Sequence, residues 1–198
     1  KPFKTRSGEI IRLNYLLNEA EQRAFDVVSE KSPEMGEAER REIARVVGIG
    51  ALKYADLSGN RQSDYVFSWD NMLSLVGNTA PYLLYAYTRI CSIFRKIDGE
   101  TILKPKLFVL EHAEELTLAK HLLRFGLVLE QVLEESRPNF LCNYLYELAG
   151  VYASFYENCP VLQADGDVRT QRMALCDLTG KVLKTGLETL GLETTERM

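Results

Sequence analysis

The chain has 198 residues, 46% of them apolar, which is enough to fill the core of one large or two small domains. Its 28 acidic side chains outnumber the 24 basic ones and give a net charge of −4, so overall charge does not favour nucleic acid as a partner. No apolar run approaches the roughly 20 residues of a membrane span, and residues 1–12 lack the apolar stretch of a secretion signal, so we expect a cytoplasmic protein that does not bind membranes.

Helical periodicity dominates the first part of the chain. Apolar residues recur at intervals of three and four over residues 13–28, which predicts an amphipathic helix. A proline and a glycine interrupt the pattern at residues 31–36, and a second helix is predicted over about 37–57. Gly48 and Gly50 lie within that helix, where glycine lowers helix propensity. We therefore expect both glycines to let another backbone approach closely.

A loop and the best strand candidate of the chain follow. The segment SGNRQSD at residues 58–64 has the composition of a loop. The segment YVFSW at residues 65–69 is rich in aromatic and β-branched residues, which predicts a short strand. Ser68 is a candidate N-cap for a short helix over residues 69–75, which we expect to stop at Gly77.

The rest of the chain is predicted to form a helical bundle. Helices are predicted over about 79–98, 107–124, 126–136, 138–158 and 167–190. Pro81 falls in the first turn of the first of these helices, where its missing N–H is harmless. Short connections between long amphipathic helices favour antiparallel neighbours. We therefore predict a mainly α fold, with a small α-rich junction and one short strand at residues 1–77, followed by an antiparallel helical bundle at residues 78–198.

The cysteines and histidines do not form a pattern typical of a metal or catalytic site. The four cysteines are widely spaced, at Cys91, Cys142, Cys159 and Cys176. A zinc site requires closer pairs of thiolates or imidazoles, so we expect buried free thiols and no bound metal. His112 and His121 have no companion cysteine, which favours surface or hydrogen-bonded histidines over a catalytic base.

Three segments, in the same order, resemble the arginyl-tRNA synthetases of class I. They are the opening KPFKTRSGEIIRL, the run at residues 47–96 that ends in NMLSLVGNTAPYLLYAYTRICSIFRK, and the ending GLETLGLETTERM. On this resemblance the chain is identified as the C-terminal part of such an enzyme, with the end of the catalytic domain and the junction at residues 1–77 and a helical, DALR-type anticodon-binding domain at residues 78–198. The resemblance implies that the whole enzyme uses ATP, with Mg²⁺, to attach arginine to its tRNA.

The same resemblance implies the partners of the chain. Arginine tRNA is one, and the missing catalytic portion of the same enzyme is the other; no DNA partner is implied. Because most of the catalytic domain is missing, we expect the chain to be inactive by itself and to hold no ATP. We also expect it to be monomeric.

Residues 2–8 fall where the family keeps its second ATP-binding signature. Taken alone, the stretch FKTRSG at residues 3–8 is more typical of a solvated loop than of a phosphate site. The resemblance implies instead that this loop meets ATP in the whole enzyme, where the family's Lys-Met-Ser-Lys-Ser signature steadies the nucleotide. The pattern is degenerate in this chain, and either Lys4 or Arg6 takes the place of the signature lysine.

The helix that begins near residue 79 is the candidate RNA-binding element. Tyr82, Tyr85 and Arg89 are spaced by three and four residues, so they share one helix face. Rings and guanidinium planes suit the unstacked bases of RNA loops, although from the residues alone half-buried packing tyrosines are favoured. The resemblance implies that all three residues face the anticodon loop. It also implies that the preceding loop at residues 74–79, which contains Asn78, approaches the RNA.

Two further site residues are implied by the resemblance alone. Tyr156 belongs to a helix crowded with aromatic residues, most of which we expect in the core. Met198 ends a segment that would otherwise be predicted to fray. The resemblance places both residues at the anticodon.

Two alternatives remain open. One is a non-catalytic helical module whose aromatic face binds protein, and the other is a different class I synthetase with a similar bundle. RNA binding should weaken steeply with salt, whereas a protein interface should depend less on salt. The second alternative could be tested by measuring which amino acid the whole enzyme attaches to tRNA.

Overall fold

A computed structural model of the protein describes residues 12–60, 62, 67–97, 105 and 107–198. Within this part of the chain there are eight α-helices and no strand, which confirms the predicted mainly α fold. The helices are α1 (Leu13–Lys31), α2 (Glu37–Ser58), α3 (Trp69–Met72), α4 (Ala80–Lys96), α5 (Ala113–Leu123), α6 (Phe125–Glu135), α7 (Asn139–Asn158) and α8 (Gly166–Thr189). None of these helices is long and apolar enough to cross a lipid bilayer.

The prediction of a short strand at residues 65–69 is wrong for residues 67–69, the part of the segment that the structure describes. Phe67 and Ser68 belong to no strand, and Trp69 already begins α3. The hydroxyl of Ser68 accepts a hydrogen bond from the Asn71 N–H at 3.4 Å, which confirms the predicted cap. The cap turns the chain into a helix, and the described residues contain no strand whose backbone could pair with this segment. The helix is also shorter than predicted, since it ends at Met72.

The helix predicted from residue 107 begins later, at Ala113. The N–H of Val109 donates to Gln171 Oε1 of α8 at 2.6 Å, which holds the preceding segment in a non-helical conformation. The N–H of His112 donates to Glu115 Oε2 at 3.2 Å, as in a capping box, and this contact fixes the start of α5. The other bundle helices begin and end within a few residues of the predicted bounds.

One apolar core extends from α1 to α8. Helix α1 packs on α2, and the other side of α2 packs on α4 and α7. Helices α4, α5 and α7 each pack on α8, while α6 covers α7. Tyr54 of α2, Leu83 of α4 and Leu145 of α7 are each at most 1% exposed within this core. As a result α4 and α7 lie side by side, and this arrangement builds the candidate site.

The two glycines of α2 differ in what they allow. A Cβ at Gly48 would lie 2.5 Å from the backbone oxygen of Ala20 in α1, so the predicted close approach of another backbone is confirmed there. A Cβ at Gly50 would meet only side-chain atoms of Leu192 and Ala80, at 3.8 and 3.9 Å. The prediction was therefore wrong for Gly50, where ordinary van der Waals contact leaves room for a methyl group.

The cysteines and the second histidine are structural. All four cysteines are unpaired thiols, as predicted, and three of them, all but Cys91, are also buried as predicted. His121 is buried, and its ring stacks on the ring of Tyr144 with centroids 4.8 Å apart. Burial lowers the pKa of His121, so the imidazole stays neutral near pH 7. Within the described residues no three His, Cys, Asp or Glu side chains cluster as metal ligands do.

A largely buried ion pair joins α5 to α8. Arg172 Nε of α8 donates to Glu115 Oε1 at 2.6 Å, and Arg172 Nη1 donates to the carbonyl oxygen of Pro160 at 2.9 Å. Burial acts to raise the pKa of Glu115, but the hydrogen bonds from Arg172 and from the backbone outweigh it, so the pKa lies below its ordinary value of 4.5. The carboxylate form is therefore the one that the fold stabilises.

Replacing Glu115 by glutamine is expected to lower the free energy of unfolding by about 1 to 2 kcal/mol at pH 7, because Arg172, whose side chain is only 14% exposed, then loses its counter-ion. Since the folded pKa is lowered, the contribution of Glu115 is complete above pH 4.5 and is lost as the pH falls through the folded pKa. Urea denaturation should therefore show the full difference in free energy of unfolding between the two proteins at pH 7 and pH 5, and a smaller difference at pH 3.5. Glu37→Gln, which removes an exposed partner of Arg41, is the control and should change stability little. An equal difference at all three pH values would contradict this account.

Candidate nucleic-acid interface

The loop before α4 is tied to the start of that helix. Gly77 has a φ of 87°, a left-handed conformation that favours glycine and lets the chain reverse. Thr79 caps α4, since its hydroxyl oxygen accepts from the Tyr82 N–H at 3.3 Å. The same hydroxyl donates to the carbonyl oxygen of Ser74 at 2.7 Å. These bonds fix the loop at residues 74–79 at the start of α4, the helix whose exposed face carries Tyr85 and Arg89.

A cation held by two aromatic rings is the central feature of that face. The guanidinium carbon of Arg89 lies 4.9 Å from the ring centroid of Tyr85 and 5.3 Å from that of Tyr156 in α7. Arg89 Nη2 also donates to the Tyr85 hydroxyl at 3.0 Å. This bond raises the pKa of Arg89 above its ordinary value, so the group is charged at every relevant pH. Tyr85 remains 42% exposed and can still contact a ligand.

An open cavity of about 490 Å³ lies beside the cation. Its walls are formed by Met35, Tyr85, Thr88, Arg89, Ser92, Arg95, Tyr156, Arg197 and Met198. Three guanidinium groups can meet phosphates, whereas the two rings and the two thioethers offer flat apolar surfaces. The cavity thus combines the chemical groups that an unstacked nucleotide requires.

The C-terminal segment is fixed on the bundle instead of fraying. Arg45 of α2 donates to both carboxylate oxygens of Glu193, at 3.0 and 2.6 Å. Arg95 Nη1 of α4 donates to the carbonyl oxygen of Glu196 at 2.6 Å. Met198 consequently reaches the wall of the cavity, where it is partly buried against the core. The expectation of a frayed tail, drawn from the residues alone, is wrong.

The predicted site residues fall into two groups. Tyr85, Arg89, Tyr156 and Met198 meet at the cavity. Tyr82 does not line it, because its ring packs edge to face on another tyrosine, described next.

The second group lies nearer the start of α4. The rings of Tyr82 and Tyr146 have centroids 5.6 Å apart at an interplanar angle of 61°. Asn78 Oδ1 accepts from the Tyr54 hydroxyl at 2.6 Å, and Asn78 Nδ2 donates to Asn143 Oδ1 at 3.0 Å. Sequence reasoning did not select Asn143 or Tyr146. Their spacing of three residues on one exposed helix face was the only signal available.

The predicted ATP-signature loop lies outside the described residues. Lys4 and Arg6 both belong to it, so the structure gives neither residue a position or a contact. Their assignment remains a prediction.

Two family models match the chain in consecutive segments. Residues 83–198 match the DALR anticodon binding domain, and residues 1–69 match the catalytic domain of class I (R) tRNA synthetases. The first of these models covers more than half of the chain.

The similar proteins are named as arginine–tRNA ligases or arginyl-tRNA synthetases. The chain is 54% identical to an arginine–tRNA ligase of Shewanella baltica and 54% identical to one of Pseudomonas fluorescens, over 100% of its own length and 34% of theirs. Among solved structures it matches the arginyl-tRNA synthetase of Thermus thermophilus with a TM-score of 0.87 at 31% identity, covering 95% of this chain and 32% of that one. The Plasmodium falciparum enzyme gives a TM-score of 0.86 at 32% identity, covering 96% and 34%. The chain thus spans about a third of the length of the curated relatives it matches.

Proposed function

Because the chain belongs to the DALR anticodon binding domain family, we propose that it recognises the anticodon arm of arginine tRNA as the C-terminal part of an arginine–tRNA ligase. The observation that carries this proposal is the Arg89 guanidinium, held by the rings of Tyr85 and Tyr156 beside an open cavity. Charge, flat aromatic surface and exposed hydrogen-bonding groups are what RNA-loop binders use to hold unstacked bases. Met198 completes the wall of that cavity.

The proposal extends to the whole enzyme. It would attach arginine to its tRNA with ATP and Mg²⁺ in the cytoplasm, and the loop at residues 2–8 would help to hold ATP through Lys4 or Arg6. This chain supplies the bundle at residues 78–198 and the junction at residues 1–77, and its other partner is the catalytic portion of the same enzyme. We propose that the chain is a monomer and inactive in aminoacylation by itself.

The test is binding of the 198-residue chain to an arginine tRNA transcript, with a non-cognate tRNA as the competitor. We expect tighter binding to the arginine tRNA, and a dissociation constant that rises steeply between 50 and 200 mM salt because phosphate contacts release counter-ions. Filter binding or fluorescence anisotropy at several salt concentrations would measure both. A folded chain that binds neither tRNA, or binds both equally, would refute the proposal. A chain that binds protein independently of salt would instead favour the interaction-module alternative.

A further inference from the structure

We propose that Asn143 and Tyr146 of α7, together with Asn78 and Tyr82, form a second RNA-binding station that takes an unpaired nucleotide of the same tRNA loop. This inference rests on the proposed function. It assigns a ligand to two residues that neither the periodicity nor the family resemblance selects. It also makes the bound RNA segment longer than one nucleotide.

The ring pair supplies a stacking surface. Tyr146 is 38% exposed although its ring packs against Tyr82 at 5.6 Å, so part of the ring is held in place while part faces solvent. Burial raises the pKa of Tyr82, and its phenol therefore stays neutral and does not repel a phosphate. A ring that is immobilised before binding loses little entropy when a base stacks on it, which favours affinity.

The amide pair supplies directed hydrogen bonds. Tyr54 is only 1% exposed, and its hydroxyl anchors the Asn78 oxygen at 2.6 Å from inside the core. Asn78 in turn donates to Asn143 Oδ1 at 3.0 Å. This chain of bonds fixes the Asn143 amide on an exposed helix face and directs its Nδ2 group away from its only amide partner in the described part of the protein. Such a group can donate to the edge of a base.

The two stations are too far apart for one nucleotide. Tyr82 and Arg89 are seven residues apart on α4, which at 1.5 Å per residue corresponds to about 10 Å. Tyr146 and Tyr156 are ten residues apart on α7, which corresponds to about 15 Å. Stacked bases of one strand rise by only about 3.4 Å. A loop strand that reaches both stations must therefore span several nucleotides along the seam between α4 and α7.

The charges around the two stations differ. Glu147, the residue after Tyr146, lies 3.9 Å from Arg124, so this pair adds little net charge beside the second station. The cavity at Arg89, by contrast, has two further guanidinium groups, that of Arg95 and that of Arg197, of which Arg197 lies 3.7 Å from Glu39. The second station should thus add affinity through stacking and hydrogen bonding without adding salt dependence.

The test compares Tyr146→Ala, Tyr146→Leu and Tyr146→Phe for binding to the arginine tRNA transcript over a salt series. We expect the alanine and leucine variants to bind at least fivefold more weakly and the phenylalanine variant to bind within twofold of the unchanged chain, because the flat ring is the required group. The slope of log affinity against log salt should not change in any of them. Tyr15→Ala, which removes a tyrosine that is 62% exposed on α1, is the matched control and should leave binding unchanged.

The outcomes separate this inference from the function on which it rests. If Tyr146→Ala and Tyr146→Leu bind normally while Arg89→Ala is weakened, the second station is wrong and the proposed function stands. If none of these variants changes binding, both are wrong. Tyr146→Leu keeps an apolar side chain against Tyr82, so a loss of binding in a variant that melts at the normal temperature cannot be attributed to unfolding. Asn143→Ala, on the exposed face, should weaken binding in the same direction and also without a change of slope.

Discussion

Replacing Arg89 by alanine is expected to weaken binding of arginine tRNA by about tenfold to a hundredfold at moderate salt. The substitution removes a charge that can meet a phosphate. It also removes the planar guanidinium group that contacts the rings of both Tyr85 and Tyr156. Because Arg89 is partly exposed and Ile90 and Ile93 of the same helix carry the core contacts, the fold should remain intact. The slope of log affinity against log salt should fall by about one phosphate contact.

Two controls make the Arg89 experiment decisive. Arg89→Lys retains the charge but not the plane, so its salt slope should be normal and its affinity intermediate. Lys184→Ala removes the same charge from an exposed position on α8, where the amine lies 4.0 Å from Glu188, and it should bind as the unchanged chain does. Anisotropy titrations measure the affinities, and circular dichroism verifies folding. If Lys184→Ala bound arginine tRNA as weakly as Arg89→Ala does, the total charge would explain binding, and the assignment of the site to Arg89 would be wrong.

Local patterns predicted most of the helices because an amphipathic helix carries its own signal. Pro81 in the first turn indicates the start of α4, and that helix begins at Ala80, close to the predicted residue 79. The start of α5 could be predicted only in part. The His112–Glu115 contact that fixes it is local, but the non-helical segment before it depends on the bond from the Val109 N–H to Gln171, a residue far along the chain on α8. The failed strand at residues 65–69 has a similar cause, since a strand requires a partner that this fold does not provide within the described residues.

Only part of the candidate site could be predicted from the spacing of residues in the sequence. The spacing of Tyr85 and Arg89 places them on one face of one helix, and the structure shows them in contact. No local rule brings Tyr156 or Met198 to the same place, so only the family resemblance could indicate them. Tyr146 is one of several aromatic residues on α7, and the sequence does not distinguish it, because its contact with Tyr82 arises from the packing of α4 on α7. Contacts between distant segments are what single-sequence periodicity omits.

The junction between α1 and α2 offers the largest expected effect on stability. Gly48→Ala is expected to lower the free energy of unfolding by about 3 kcal/mol. The new Cβ would lie 2.5 Å from the oxygen and 2.7 Å from the carbonyl carbon of Ala20, and 2.9 Å from the nitrogen of Glu21. All three atoms are backbone, so no side chain can rotate away and α1 has to shift as a whole. Alanine's better helix propensity, worth about 1 kcal/mol, offsets only part of this cost.

Gly150→Ala is the matched control for this substitution. Gly150 also lies inside a helix, α7, but a Cβ there would have no other atom within 4 Å. The same change should therefore stabilise the chain by about 0.5 to 1 kcal/mol, since only helix propensity acts. Urea denaturation of the two variants isolates the contact with α1 from the intrinsic preference of alanine. Equal effects in the two variants would show that α1 does not pack tightly on α2 in solution. Opposite signs would show that the packing of α1 on α2 requires a residue without a Cβ at position 48.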